Sequence, residues 1–216
     1  MRDEGDLIFP EDAWEKDARE TRSERSQGNT NASRIPVNHV LREFFGELVE
    51  RKLHGEVGVE DQNVCSYVAN LLADFCEAEQ LYKIQDAAGR PLHDVGEMLL
   101  ESDPIYGPAP FFDREREVRK HIGDYTLFFA GMFPESINHF RLRRQRLENF
   151  VDFIKAGKES YYIVSQFNVF EYKDESQLFS HLSEGFESCI YGLNMVKNEL
   201  QEMQHPIART TKEFLM

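Results

Sequence analysis

The chain has 216 residues and a net charge of −14, and it is 41% hydrophobic, 12% aromatic and 30% charged. This composition is typical of a globular protein with a sizeable core and excludes a largely disordered chain. The negative surface repels phosphates unless the basic residues are segregated, so neither nucleic acid nor insertion into a membrane is expected.

The beginning and the cysteines of the chain bear on its location. The first residues lack a positively charged start and an apolar stretch, so no signal peptide is expected. The longest uninterrupted apolar run, residues 127–133, is too short to span a bilayer. Three cysteines without a Cys-x-x-Cys pair are typical of small buried side chains in a reducing compartment. A cytoplasmic location is therefore expected.

Residues 1–35 differ from the rest of the chain. They hold nine acidic and six basic residues and end in a polar stretch. Only an apolar patch at residues 7–9 and Trp14 could anchor this segment. It is interpreted as a charged arm, either mobile or docked on a partner or on the protein's own body. Residues 36–216 are then predicted to form a single helical domain.

Helical spacing of apolar residues begins at Pro36, a suitable first helical position. The first helix is predicted to run through Val40, Phe44 and Leu48 to residues 53–55. A second helix is predicted over residues 60–82, because its apolar residues recur at spacings of three and four. Then come a turn at residues 87–91 and a short helix at about 92–102.

The middle of the chain predicts further helices. One runs from about residue 113 to 133, and Pro134 starts another that is expected to stop at Gly157. Residues 158–172 contain good strand formers, yet no second such run exists for a strand to pair with. This segment is interpreted as helical, with a strand left open.

The last helix has the clearest pattern, a heptad seam of eight apolar residues. Asp174 with Gln177 resembles a capping box at its start, and Pro206 marks its end. The seam predicts a partner helix, either in the same bundle or in a coiled-coil dimer. The fold class is therefore all-α, an antiparallel bundle of six to seven helices. The seam consists of Phe179, Leu182, Phe186, Cys189, Leu193, Val196, Leu200 and Met203.

A basic region lies in the middle of this acidic chain. Residues 113–158 carry a net charge of +3, whereas residues 36–103 carry −9. Arginines three apart share a helix face and can clamp an anionic group or an acidic partner. The alternative is a solvated face that pairs with the protein's own glutamates. The candidate patch consists of Arg141, Arg143, Arg144 and Arg146.

A candidate polar site lies on the helix at residues 113–133. His121, Asp124 and Tyr125 are three and four residues apart and fall in one sector of that helix. An Asp–His pair one turn apart among apolar rings is the kind of pair whose pKa values shift. The alternative is an ordinary hydrogen bond inside the core.

The same segment, HIGDYTLFFAGMFPE at residues 121–135, resembles an uncharacterised bacterial family of all-helical proteins, with a weaker likeness at residues 193–200. The resemblance covers about a third of the chain. It implies an all-helical bacterial protein and no particular activity.

Metal and catalytic signatures are weak. A di-iron bundle needs two Glu-x-x-His motifs, and the chain has one, at Glu202 and His205. His93 with Glu97 and His181 with Glu184 are one-turn pairs of low specificity. Nucleophile-elbow and phosphate-loop motifs are absent from the sequence, so no metal and no cofactor are predicted.

Two classes of function remain open. The arm, the seam and the segregated charge favour a protein–protein interaction or accessory subunit, with a protein partner or a homodimer. The alternative is a small-molecule or cofactor-binding bundle, or an enzyme that uses His121 and Asp124. An enclosed cavity faced by these two residues and a further polar group would favour the alternative.

Overall fold

A computed structural model describes residues 36, 39–103, 112–137, 146–167 and 172–203, with the side chains of residues 112 and 146–151 excepted. The predicted arm at residues 1–35 lies outside these ranges. So do Pro206 and the arginine patch, apart from the backbone of Arg146.

The described residues form an all-α bundle, which confirms the predicted fold class, and they contain no strand. Seven of their α-helices are seven residues or longer. The α-helices are α1 (Val40–Val49), α2 (Gln62–Asp74), α3 (Ala78–Leu81), α4 (Val95–Glu101), α5 (Phe112–Met132), α6 (Pro134–Ile137), α7 (Arg146–Gln166), α8 (Lys173–Glu184) and α9 (Phe186–Glu202), and a π-helix, Glu50–Val57, continues α1.

The first helix starts later than the sequence predicts. His39 is its N-cap, since the ring Nδ1 accepts a hydrogen bond from the Leu41 amide at 3.2 Å. Pro36 therefore precedes the helix, and Val40 is 60% exposed and not in the core. The buried face of α1 is formed by Phe45, Leu48 and Val49.

The helix predicted over residues 60–82 is broken. α2 ends at Asp74, and α3 resumes four residues later. The backbone leaves the helical path at Phe75, whose ring turns inward against Phe128, with ring centroids 5.2 Å apart. The apolar spacing is the same on both sides of the break, so spacing alone predicted one continuous helix.

Helix α5 is central, and it packs against α7, α9 and α4. Two glycines allow α5 and α7 to approach closely. A Cβ on Gly123 would lie 2.4 Å from the Tyr161 ring, and a Cβ on Gly157 would lie 2.0 Å from Oγ1 of Thr126. The prediction that Gly157 stops a helix is therefore wrong, because α7 continues through it to Gln166. The absence of a side chain at Gly157 is what permits this close packing. The helical interpretation is confirmed for residues 158–166.

The C-terminal seam lies in the core, but its helix is not continuous. Gly185 forms a turn between α8 and α9, and the predicted capping box is wrong because α8 begins at Lys173 without a side-chain cap. Phe179 through Val196 in the seam are buried, whereas Leu200 and Met203 are partly exposed. The seam thus packs within the bundle of its own chain.

Candidate functional site

Helix α5 carries all three residues of the predicted polar site, but their side chains lie in different environments. Asp124 points between α2 and α7, where it meets Tyr67 and Tyr161. His121 packs against Phe75 and against Tyr125, with ring centroids 6.0 Å apart in both cases. Asp124 and His121 share no hydrogen bond, so their predicted pairing is not formed.

Asp124 is the centre of a buried hydrogen-bond cluster. Its Oδ1 accepts from the hydroxyls of Tyr67 at 2.5 Å and Tyr161 at 2.8 Å, and its Oδ2 accepts from Nζ of Lys120 at 2.8 Å. The carboxylate is 3% exposed, and the Phe179 ring packs beside both tyrosines. Three donors on one carboxylate satisfy a group that is costly to bury.

The charges of this cluster stabilise one another. Burial alone would raise the pKa of Asp124, but the nearby cations Lys120 and Lys83 lower it below its usual value. Burial would likewise lower the pKa of Lys120, and the carboxylate of Asp124 raises it instead. Burial raises the pKa of Tyr67 and of Tyr161. At neutral pH the cluster is one ion pair with two neutral phenols. Such an arrangement serves to stabilise the fold.

His121 is fully buried, and within the described part of the chain neither ring nitrogen makes a hydrogen bond of normal geometry. Burial lowers the pKa of His121 to about 3, and the charges of Lys83 and Lys120 act in the same direction. The carboxylate of Asp124 and the backbone of Leu81 oppose this shift without reversing it. The imidazole is therefore neutral at pH 7.

Tyr125 faces a different region, a half-enclosed cavity of about 500 Å³ between α4, α5, α6 and α7. Its hydroxyl donates to the backbone carbonyl of His93 at 3.3 Å, which ties α5 to the start of α4. The cavity volume lies within the range of about 300–1,000 Å³ that is typical of ligand pockets. Apolar side chains form most of the lining: Val95, Leu99, Tyr125, Phe129, Ile137 and Phe153.

Polar residues join this lining from two helices. Asp94 is the N-cap of α4 and accepts from the amides of Gly96 at 2.8 Å and Glu97 at 3.3 Å. Glu97 and, across the cavity on α7, Asp152 are exposed. Neither carboxylate makes an ion pair with any side chain that the structure describes. We call His93, Asp94, Glu97 and Asp152 the rim.

Sequence reasoning found one residue of this cavity as a site residue, Tyr125. His93 and Glu97 attracted notice only as a one-turn pair, and the N-cap pattern of Asp94 before Val95 could have located the start of α4. Asp152 carries no sequence signal. Cavities form where helices distant in the chain meet, and single-helix spacing does not reveal such meetings.

Several further absences hold for the described residues only. No group of three or more His, Cys, Asp or Glu side chains there is arranged to hold a metal ion. None of the helices is both long enough and apolar enough to cross a membrane. The patch of Arg141, Arg143, Arg144 and Arg146 lies outside this part of the chain, and its role stays a prediction.

Comparison with known proteins gives no match: no protein-family model, no curated protein and no solved structure matches the chain. The resemblance of residues 121–135 to a bacterial family therefore stays a prediction.

Proposed function

We propose that this protein binds a small organic molecule in the cavity between α4, α5, α6 and α7. The observation that carries the proposal is the cavity itself, about 500 Å³ with an aromatic and aliphatic lining and a polar rim. Ligand sites in helical bundles combine a largely apolar wall with a few polar groups that orient the ligand. No catalytic step is part of this proposal.

The walls come from parts of the structure that are held in place. Tyr125 and Phe129 are 3% and 9% exposed, and their ring centroids are 4.5 Å apart. The hydroxyl of Tyr125 donates a hydrogen bond to the His93 carbonyl, just before α4. Asp94 caps the first turn of α4. A preformed wall reduces the entropy lost when a ligand binds.

Partner binding, which the sequence favours, has less support in the described residues. The seam that could form a coiled coil is buried in the chain's own core, and the arm and the arginine patch lie outside the described ranges. An accessory or dimeric role and a cytoplasmic location therefore stay predictions.

Native mass spectrometry of the protein purified from its own cells tests the proposal. Ala156 lines the cavity, so Ala156→Trp should fill it, whereas Lys155→Trp places the same side chain at an exposed neighbouring position. We expect added mass on the native protein and on Lys155→Trp, and its loss from Ala156→Trp. A bare native protein, or added mass that Ala156→Trp retains, would contradict the proposal, provided that both variants melt cooperatively.

A further inference from the structure

We infer that the cavity selects an organic cation, an ammonium or guanidinium group carried on an apolar body. This inference rests on the proposed function and names the chemical class of its ligand. It draws on two independent features of the cavity: the exposed carboxylates of Glu97 and Asp152 in its rim, and the aromatic rings of its wall.

The rim is negative. Three carboxylates line the cavity, and no lysine or arginine of the described residues lines it with them. Asp94 already serves the amides of α4, whereas Glu97 and Asp152 have no cationic partner among the described side chains. A cation close to one of these carboxylates is attracted to it, and the attraction is stronger near a protein surface than in bulk water because the effective dielectric constant is lower. An anion in the same place would be repelled.

The wall suits the same class of ligand. Tyr125, Phe129 and Phe153 supply three rings, and the centroids of Tyr125 and Phe153 are 6.4 Å apart. A cation over the face of an aromatic ring is attracted by the quadrupole of the ring, and more strongly once the cation has lost its water. The aliphatic side chains of Val95, Leu99 and Ile137 provide a surface for an apolar body.

The rim carboxylates differ from a metal site. Within the described ranges, no three acidic, His or Cys side chains come close enough to share a metal ion. Glu97 on α4 and Asp152 on α7 stand on different walls of the cavity. The cavity that both residues line, about 500 Å³, is large enough for an organic group.

Calorimetric titration with three compounds of one shape and different charge tests the inference. The compounds are 3-phenylpropylamine, which is a cation at pH 7, neutral 3-phenylpropanol and anionic 3-phenylpropanoate. We expect the amine to bind the native chain at least tenfold more tightly than the alcohol and the carboxylate not to bind measurably. An alcohol that binds as tightly as the amine would overturn the inference.

A second experiment removes two of the three negative charges of the rim. In the double variant Glu97→Gln, Asp152→Asn the amine should bind at least tenfold more weakly, while the affinity for the alcohol stays within twofold. The matched control is Glu60→Gln, Glu159→Gln, which removes two exposed carboxylates away from the cavity. It should leave both affinities within twofold. An equal loss in the two double variants would show a general charge effect and would also overturn the inference.

Failure of the inference and failure of the proposed function give different results. If native mass spectrometry shows a bound molecule that Ala156→Trp loses, the cavity is a ligand site. If the amine then has no advantage over the alcohol, only the class of ligand is wrong. If the native protein is bare and none of the three compounds binds, the proposed function fails together with the inference.

Discussion

On one side of α5, Asp124 is 3% exposed, and its two oxygens accept hydrogen bonds from Tyr67, Tyr161 and Lys120. On the cavity side, Glu97 and Asp152 are exposed and have no cationic partner in the described ranges. Burying a carboxylate costs several kcal/mol unless donors satisfy it, whereas an exposed carboxylate stays hydrated. The same chemical group thus stabilises the fold in one place and is available to a ligand in the other.

Removal of the buried carboxylate should have the largest effect. Asp124→Ala leaves the Lys120 ammonium and two tyrosine hydroxyls without their acceptor, so the free energy of unfolding should fall by about 3–5 kcal/mol. Urea denaturation followed by circular dichroism measures it. Asp152→Ala, the matched change at the rim, should stay within about 0.5 kcal/mol. A loss below about 1 kcal/mol for Asp124→Ala would show that the cluster is not structural.

The packing beneath the cluster can be tested at a glycine. Gly123→Ala places a Cβ 2.4 Å from the Tyr161 ring, so the ring that donates to Asp124 has to move. Such overpacking typically costs about 1–3 kcal/mol. The control is Gly46→Ala in α1, where no atom lies within 4 Å of the new Cβ. That change should stabilise the helix by about 0.5–1 kcal/mol. Equal effects of the two variants would contradict the close approach of α5 and α7.

A pH dependence should come from His121. Its pKa is about 3 in the folded chain and 6.5 when it is unperturbed, so below pH 6.5 the unfolded state binds the proton that the folded state excludes. The contribution of His121 to the free energy of unfolding is therefore constant above about pH 6.5. Below that pH it lowers the free energy of unfolding, by about 2 kcal/mol between pH 7 and 5.

The variant His121→Leu isolates this contribution. It removes a buried group that makes no described hydrogen bond of normal geometry, so at pH 8 its stability should be within about 1 kcal/mol of the native chain. Its unfolding free energy should change about 2 kcal/mol less than that of the native chain between pH 7 and 5. Identical pH profiles of the two proteins would contradict a neutral, buried His121.

The smallest effect is expected at the rim. Glu97→Gln, Asp152→Asn should leave the free energy of unfolding within about 0.5 kcal/mol, because both carboxylates are exposed and lack a described ion pair. Thermal and urea unfolding without ligand measure this. A destabilisation above about 1.5 kcal/mol would show that the rim serves the fold and not a ligand.

Most of the helices could be predicted because apolar spacing records which face of a helix is buried. Pattern alone failed where a tertiary contact decides the local geometry. Helix α2 ends at Asp74 although the apolar spacing continues through Phe75. Gly157 lies inside a helix, because its missing side chain leaves room for Thr126. The seam predicted burial correctly at Phe186 and Leu193 but not the turn at Gly185.

The site was less predictable than the fold. Helical spacing placed His121, Asp124 and Tyr125 in one sector of the helix. In the structure the three side chains nevertheless contact different neighbours. Tyr161, a donor to Asp124, lies in a segment that was interpreted as helical from the sequence but was given no part in the site. The cavity depends on α4 and α7, which are separated by more than forty residues of chain, and no spacing within either helix records their meeting.

The contrast between the two sides of α5 can be tested directly by NMR of the chain with ¹³C-labelled tyrosine, titrated with 3-phenylpropylamine, 3-phenylpropanol and 3-phenylpropanoate. Tyr→Phe variants assign the signals. We predict that the Tyr125 signal shifts saturably with the amine, whereas those of Tyr67 and Tyr161 do not move. If Tyr125 is unaffected by all three compounds, or if Tyr67 and Tyr161 shift in its place, the cavity is not the ligand site.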